Sequence, residues 1–196
     1  MVDRALESYL VTDREVKFEN WYIVKNLFSD DEIEQLFQDI EVLPKKKANI
    51  LSGEDNDYRE SMIKWIPKFN SDTYGWIYEK VWKWVDIANK ELWDFDLVGM
   101  RNDAQYTEYN QEGHYDWHMD ILGKGINHRK ISITVQLNKN FKGGELEFKF
   151  GKGSEKIALE KGDGVIFPSF YLHKVNPVTY GKRKSLVQWI SGKPYK

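Results

Sequence analysis

From about residue 97 onward the apolar residues recur at every second position, and Gly-rich turns break the pattern about every eight to twelve residues. The segments "DLVGMRNDAQYTEY", "HYDWHMD", "RKISITVQLN", "GGELEFKF", "EKIALE", "GVIFP", "YLHKV" and "KSLVQWISG" read as strands, with "NKNFKGG", "GKGSE" and "KGDG" as the turns between them. Many short strands joined in this way indicate a sandwich, barrel or jelly roll. In "ISITVQL", Ile131, Ile133, Val135 and Leu137 alternate with Ser132, Thr134 and Gln136. The polar face of that strand is either solvated or the wall of a ligand cavity.

The first half follows a different period. "FSDDEIEQLFQDIEVL" places Ser29 three residues before Glu32, the signature of a capping box, and then Ile33, Leu36, Phe37 and Ile40 at helical spacing. Pro44 and the lysine run after it close that helix. "SDTYGWIYEKVWKWVDIANKELW" opens on a Ser-Asp cap, and Trp76, Ile77, Val81, Trp84, Val85 and Ala88 form one apolar stripe. "SGEDNDYRESMIKWIP" between them reads as a loop followed by a short strand or turn. Without a repeat or a linker, residues 1–196 form one α+β domain, with a mainly helical support region over 1–96 and a β core over 97–192.

Composition narrows the function classes. The chain has no cysteine, which excludes disulfides, zinc-thiolate sites and cysteine nucleophiles. Its 29 basic and 31 acidic residues nearly balance, which argues against a nucleic-acid partner. No apolar run approaches the roughly 20 residues that span a bilayer, and the N-terminus lacks the apolar core of a signal peptide. The expectation is a cytoplasmic protein with no membrane partner; its oligomeric state is not readable.

The chemistry concentrates in "HYDWHMD", which holds two copies of His-x-Asp, His114/Asp116 and His118/Asp120. A His, a carboxylate and a distant second His can bind one face of an octahedral ion and leave the other face open. Of the two downstream histidines, His128 lies in a Gly-rich loop, whereas His173 follows an apolar strand and is the better third ligand. On an extended strand, positions i and i+2 share a face about 6.6 Å apart, while i and i+4 are about 13 Å apart. His114, Asp116, His118 and Asp120 should then all face one way, and only one adjacent pair can bind the ion. The loop after Asp120 favours the second pair.

"YNQEGHYDWHMD" resembles the Tyr-x-x-Gly-x-x-Tyr-x-x-His-x-Asp strand of prolyl-4-hydroxylase-like oxygenases, with small gaps. "HKVNPVTYGKR", "FKGGELEF" and "KGDGVIFPS" are similar, in order, to segments of bacterial PKHD-type hydroxylases. The resemblance covers about residues 97 to 192. It implies a double-stranded β-helix, a jelly-roll and cupin-like fold, binding Fe(II) and 2-oxoglutarate. Its metal ligands would be His118, Asp120 and His173, with His114/Asp116 not ligating. Arg183 would hold the distal carboxylate of 2-oxoglutarate through paired charge-assisted hydrogen bonds. Tyr109, Gln136 and Thr134 would be further cosubstrate contacts, although Gln136 stands where some relatives place a tyrosine. Trp189, Tyr115 and Leu146 would line the pocket.

The implied reaction uses O2 to hydroxylate a C–H bond, with succinate and CO2 as co-products and ascorbate as an accompanying small molecule. A prolyl residue of a peptide or protein is the expected substrate, with Arg129 and Arg59 as its contacts; both also read as plain surface charges. The alternatives are a hydroxylase of a free amino acid or other small molecule and a non-redox jelly-roll binding module. Nucleic-acid demethylation would call for a second arginine where Trp189 stands.

Overall fold

The computed structural model describes residues 19–48, 58–121 and 128–194. The capping box forms as expected: Ser29 Oγ accepts the Glu32 N–H at 3.2 Å, and the Glu32 carboxylate accepts the Ser29 N–H at 2.7 Å. Helix α1, Asp30–Asp39, follows from it and buries Ile33 and Leu36. Just beyond its C-terminal end, the Lys64 ammonium donates to Ile40 O at 2.7 Å and Glu41 O at 3.0 Å. A cation there also suits the negative end of the helix dipole.

The second helix, α2, runs over Ser71–Leu92 and packs with Ile77, Val81, Val85 and Ala88 inward. Its start corrects the expected Ser-Asp cap. Asn70 is the capping position and makes no side-chain capping bond, while Ser71 is already inside the first turn.

The N-terminal half contributes strands as well as helices. These are β1 (Tyr22–Val24), β2 (Lys46–Lys47), β3 (Arg59–Glu60) and β4 (Met62–Ile66). The second half supplies β5 (Leu97–Gly99), β6 (Ala104–Tyr109), β7 (His114–His118), β8 (Arg129–Gln136), β9 (Phe141–Gly143) and β10 (Leu146–Phe150). It continues with β11 (Gly153–Ile157), β12 (Gly164–Pro168), β13 (His173–Val175), β14 (Val178–Gly181) and β15 (Arg183–Gly192).

The larger sheet has the order β1-β12-β8-β15-β6-β4-β2, with β5 also on β15; the smaller has the order β11-β10-β13-β7-β3. Strands β9 and β14 pair separately, so part of the expected "NKNFKGG" turn is itself strand. This is the double-stranded β-helix architecture with N-terminal helices.

The alternation in β8 sorts two interiors. Ile131, Ile133, Val135 and Leu137 join Ile166, Leu186 and Ile190 in one cluster with Ile33, Leu36, Ile77, Val81 and Val85 from the helices. Ser132, Thr134 and Gln136 point the other way, yet are only 0%, 7% and 2% exposed. Their face is therefore turned into the interior between the sheets and is not a solvated surface. Val165 and Phe167 on the same side meet Leu146, Phe148 and Val175 of the smaller sheet in a second apolar cluster. Among the described residues no helix is long and apolar enough to cross a membrane.

Candidate active site

Antiparallel pairing of β13 with β7 sets His173 directly opposite His118. Asp120 follows two residues after the end of β7, its N–H held by Ser169 O at 2.9 Å. One ligand atom from each of His118, Asp120 and His173 lies within 4.8 Å of the other two. The Asp120 carboxylate places Oδ1 3.8 Å from His118 Nε2 and Oδ2 3.7 Å from His173 Nε2.

The tautomer of each imidazole follows from its other nitrogen. His118 Nδ1 lies 2.7 Å from Asp116 O, and His173 Nδ1 lies 2.8 Å from Tyr171 O. Carbonyls only accept, so both Nδ1 atoms carry a proton and both Nε2 atoms face the cluster. Burial, followed by the neighbouring His173, pushes His118 down to about 3, so it is neutral at physiological pH. Burial alone would raise Asp120, yet its carboxyl is held below its usual value, with the Ser132 hydroxyl among the groups that favour the ionised form.

Ser132 Oγ donates to Asp120 Oδ2 at 2.6 Å and lies 2.9 Å from Ser169 Oγ. Ser132 has one proton and spends it on Asp120, so Ser169 is the donor in the hydroxyl pair. Two imidazole Nε2 atoms and a carboxylate fit a divalent first-row ion such as Fe(II), with part of its coordination sphere left open.

The uniform facing expected for the doubled His-x-Asp is overturned. Val175 stands opposite Tyr115 and His173 opposite His118, so the register slips and β7 carries one extra residue. Such a bulge reverses the facing of side chains beyond it. Tyr115 and His118 consequently share the interior, and their rings stack with centroids 3.5 Å apart. Asp116 is exposed, and its Oδ1 accepts the Trp117 N–H at 2.7 Å. The first His-x-Asp thus lies at the rim, and its aspartate closes the bulge that turns His118 inward.

Arg183 is 2% exposed and stands opposite Tyr109 across the β6–β15 pair. Its Nε donates to Gln136 Oε1 at 3.0 Å, its Nη1 lies 3.4 Å from Ser185 Oγ, and its guanidinium carbon sits 5.6 Å from the Tyr109 ring centre. Among the described residues, no carboxylate pairs with it. Burial pulls its pKa below the usual arginine value. A buried guanidinium without a counter-ion is costly, and a carboxylate ligand would relieve that cost. Gly144, with φ +68°, leaves room for its stem: a Cβ there would lie 2.9 Å from Arg183 Cδ. Thr134 faces the same interior, and Tyr109 and Leu146 belong to the inter-sheet apolar cluster.

A second buried guanidinium belongs to Arg129. The β8–β15 register shifts between Ile190 and Ser191, so Arg129 lies opposite Ser191 and its guanidinium stacks 3.9 Å over the Trp189 ring. Its Nη1 lies 3.4 Å from Asp120 O, whereas Arg129 Nε, Trp189 Nε1 and Ser191 Oγ are buried with no hydrogen-bond partner. Arg59 is also buried, donating from Nε to Ser61 Oγ at 3.0 Å and lying 4.4 Å over the Tyr115 ring. The reading of Arg129 and Arg59 as plain surface charges is thereby corrected. Most of the "ILGKGINHR" loop and the start of "DNDYRESMIKW" lie outside the described residues.

Residues 104–191 match the model of the 2OG-Fe(II) oxygenase superfamily. The matched stretch takes in His118, Asp120, His173 and Arg183. A PKHD-type hydroxylase of Idiomarina loihiensis is 40% identical over 87 residues, covering 43% of this chain and 39% of that protein. One from Prochlorococcus marinus strain MIT 9301 is 32% identical over 106 residues, covering 53% and 48%. The chain therefore spans less than half the length of these curated relatives.

Among solved structures, a Pseudomonas putida prolyl-4-hydroxylase superposes with TM-score 0.72 at 18% identity, covering 92% of this chain and 96% of that one. A Trichoplax adhaerens prolyl hydroxylase, solved with a hypoxia inducible factor peptide fragment, gives 0.75 at 17% identity, covering 91% and 86%. At such identities the likeness establishes the fold alone.

Proposed function

We propose that the protein is an Fe(II)- and 2-oxoglutarate-dependent hydroxylase that acts on a prolyl residue of a peptide or protein and releases succinate and CO2. One observation carries this reading: a His–Asp–His cluster with inward Nε2 atoms shares the inter-sheet interior with a buried guanidinium that lacks an acid partner. His118, Asp120 and His173 would hold the iron. Arg183 would grip the distal carboxylate of 2-oxoglutarate, and Thr134 and Tyr109 would flank it. Gln136 would act on Arg183 and not on the cosubstrate. Trp189, Tyr115 and Leu146 would line the pocket. Iron and 2-oxoglutarate, when bound, would activate O2, the oxidant whose two atoms end in succinate and in the hydroxylated product, and ascorbate would keep the metal reduced.

The protein's own part is position and dryness. The Ser132 hydroxyl fixes Asp120, the two backbone carbonyls fix the imidazole tautomers, and Tyr115 covers one face of His118. The prolyl assignment draws support from the prolyl hydroxylases among the structural neighbours. The unpartnered Arg129 Nε, Trp189 Nε1 and Ser191 Oγ would donate hydrogen bonds to peptide carbonyls.

They also favour a second reading, in which Arg129 receives the carboxylate of a free amino acid. A turnover screen over proline-containing peptides and free amino acids, followed by mass spectrometry for one added oxygen, separates the two. Oxygen gained only by free amino acids would contradict the peptidyl assignment. Absence of succinate under every condition would contradict the reaction itself.

A further inference from the structure

We infer that Gln136 and Asn138 form a two-amide clamp that positions Arg183 for the distal carboxylate of the 2-oxo acid. The inference rests on the functional reading above. Asn138 brackets Arg183 along the backbone: its Oδ1 accepts the Lys184 N–H at 2.8 Å, and its Nδ2 donates to Lys182 O at 2.7 Å. Gln136 holds the side chain, because its Oε1 accepts Arg183 Nε–H at 3.0 Å. The other end of that amide donates among Asn138 O at 2.9 Å, Lys184 O at 3.0 Å and Asn138 Oδ1 at 3.2 Å.

This surrounding permits one orientation of the Gln136 amide. Turned over, it would set its oxygen against three acceptors and its NH2 against a guanidinium. Gln136 and Arg183 are each only 2% exposed, so water cannot take over a lost bond cheaply.

The clamp has a chemical consequence. It occupies Nε and leaves the terminal nitrogens to a ligand, of which Nη1 has only the 3.4 Å contact to Ser185 Oγ. A neutral amide also orients the guanidinium without cancelling its charge. A carboxylate at position 136 would hold Arg183 equally well in space, yet would compete with any carboxylate ligand. Gln136 and Asn138 are thus positioning residues that act through Arg183.

The test uses the whole chain loaded with Mn(II) as a redox-quiet metal and titrated calorimetrically. One arm titrates 2-oxoglutarate. The other titrates pyruvate, which keeps the 2-oxo acid head and lacks the distal carboxylate. Gln136→Met should weaken 2-oxoglutarate binding about tenfold and leave pyruvate and Mn(II) binding unchanged. Asn138→Ala should show the same selectivity at about threefold. Gln136→Glu should weaken 2-oxoglutarate binding more than about tenfold against wild type and spare pyruvate, and this arm decides the matter if Gln136→Met does not fold. Wild-type affinity for 2-oxoglutarate in these variants, or equal losses for both ligands, would overturn the clamp alone. A wild-type protein that fails to bind 2-oxoglutarate at all would overturn the functional reading, and the clamp with it.

Discussion

The phenol ring of Tyr115 lies on the imidazole of His118, 15° from parallel, and the Arg59 guanidinium caps its ring at 4.4 Å. The stack exists because an extra residue in β7 brings two side chains three positions apart onto one face. On the proposed assignment of His118 as a metal ligand, Tyr115 therefore sets the ring plane of a ligand without being one itself. Tyr115→Ala should weaken Fe(II) or Mn(II) affinity about tenfold, read by metal titration of the folded variant. Unchanged affinity would show that the carbonyl of Asp116 alone orients His118.

The bulge itself rests on Asp116, whose carboxylate accepts the Trp117 N–H. Asp116→Ala should weaken metal binding, while Asp116→Asn, which keeps an acceptor oxygen, should restore most of it. Equal behaviour of the two variants in a metal titration would argue that the ionic charge, and not the hydrogen bond, matters.

Among the described residues, the Ser132 hydroxyl is the one side-chain group that donates a hydrogen bond to the Asp120 carboxylate. Removing partners of this kind around a metal ligand typically costs about 10- to 100-fold in affinity or activity. Ser132→Ala should fall in that range for metal binding, with Ser132→Thr closer to wild type. A wild-type metal affinity for Ser132→Ala would contradict the role given to the hydroxyl.

Gly144 packs against the Arg183 stem with a left-handed φ of +68°. Gly144→Ala adds both backbone strain and a Cβ 2.9 Å from Arg183 Cδ. It should lower thermal stability and reduce 2-oxoglutarate affinity more than metal affinity. Parallel loss of both affinities would point to global unfolding instead.

Acid stability should depend on Glu108. Burial would raise its pKa, but hydrogen bonds from Lys45, Tyr106 and Lys182 bring it down to about 2. The folded state therefore binds this proton later than the unfolded chain does. Its contribution to stability, on the order of 3 kcal/mol at neutral pH, is present above about pH 4.5 and is lost as pH falls toward about 2. Urea unfolding of Glu108→Gln across that window should show a flatter acid limb than wild type. An identical limb would refute the assignment.

Local patterns in the sequence carried much of this architecture. The capping box at Ser29, the apolar stripe of α2 and the period-two runs all depend on contacts within a few residues, and each formed as expected. The motif around His173 and the order of segments carry the resemblance to PKHD-type hydroxylases, and residues 104–191 match the 2OG-Fe(II) oxygenase model. The facing of His114 and Asp116 was misread because a bulge depends on the partner strand, which the local pattern does not encode. Ser169, Asn138 and Gly144 escaped notice for a related reason. Their contacts lie more than 30 residues away in the chain and exist only after the strands have paired. The departure at Gln136 was visible, but its role needed the position of Arg183.

The most direct test is the anaerobic absorption spectrum of the protein with Fe(II) and 2-oxoglutarate. The weak visible charge-transfer band of an iron-bound 2-oxo acid should appear in the wild type. It should be absent in His118→Ala, and in Arg183→Ala it should require much higher 2-oxoglutarate. A wild-type protein with no band at saturating ligand, or a His118→Ala variant with an undiminished one, would contradict the site.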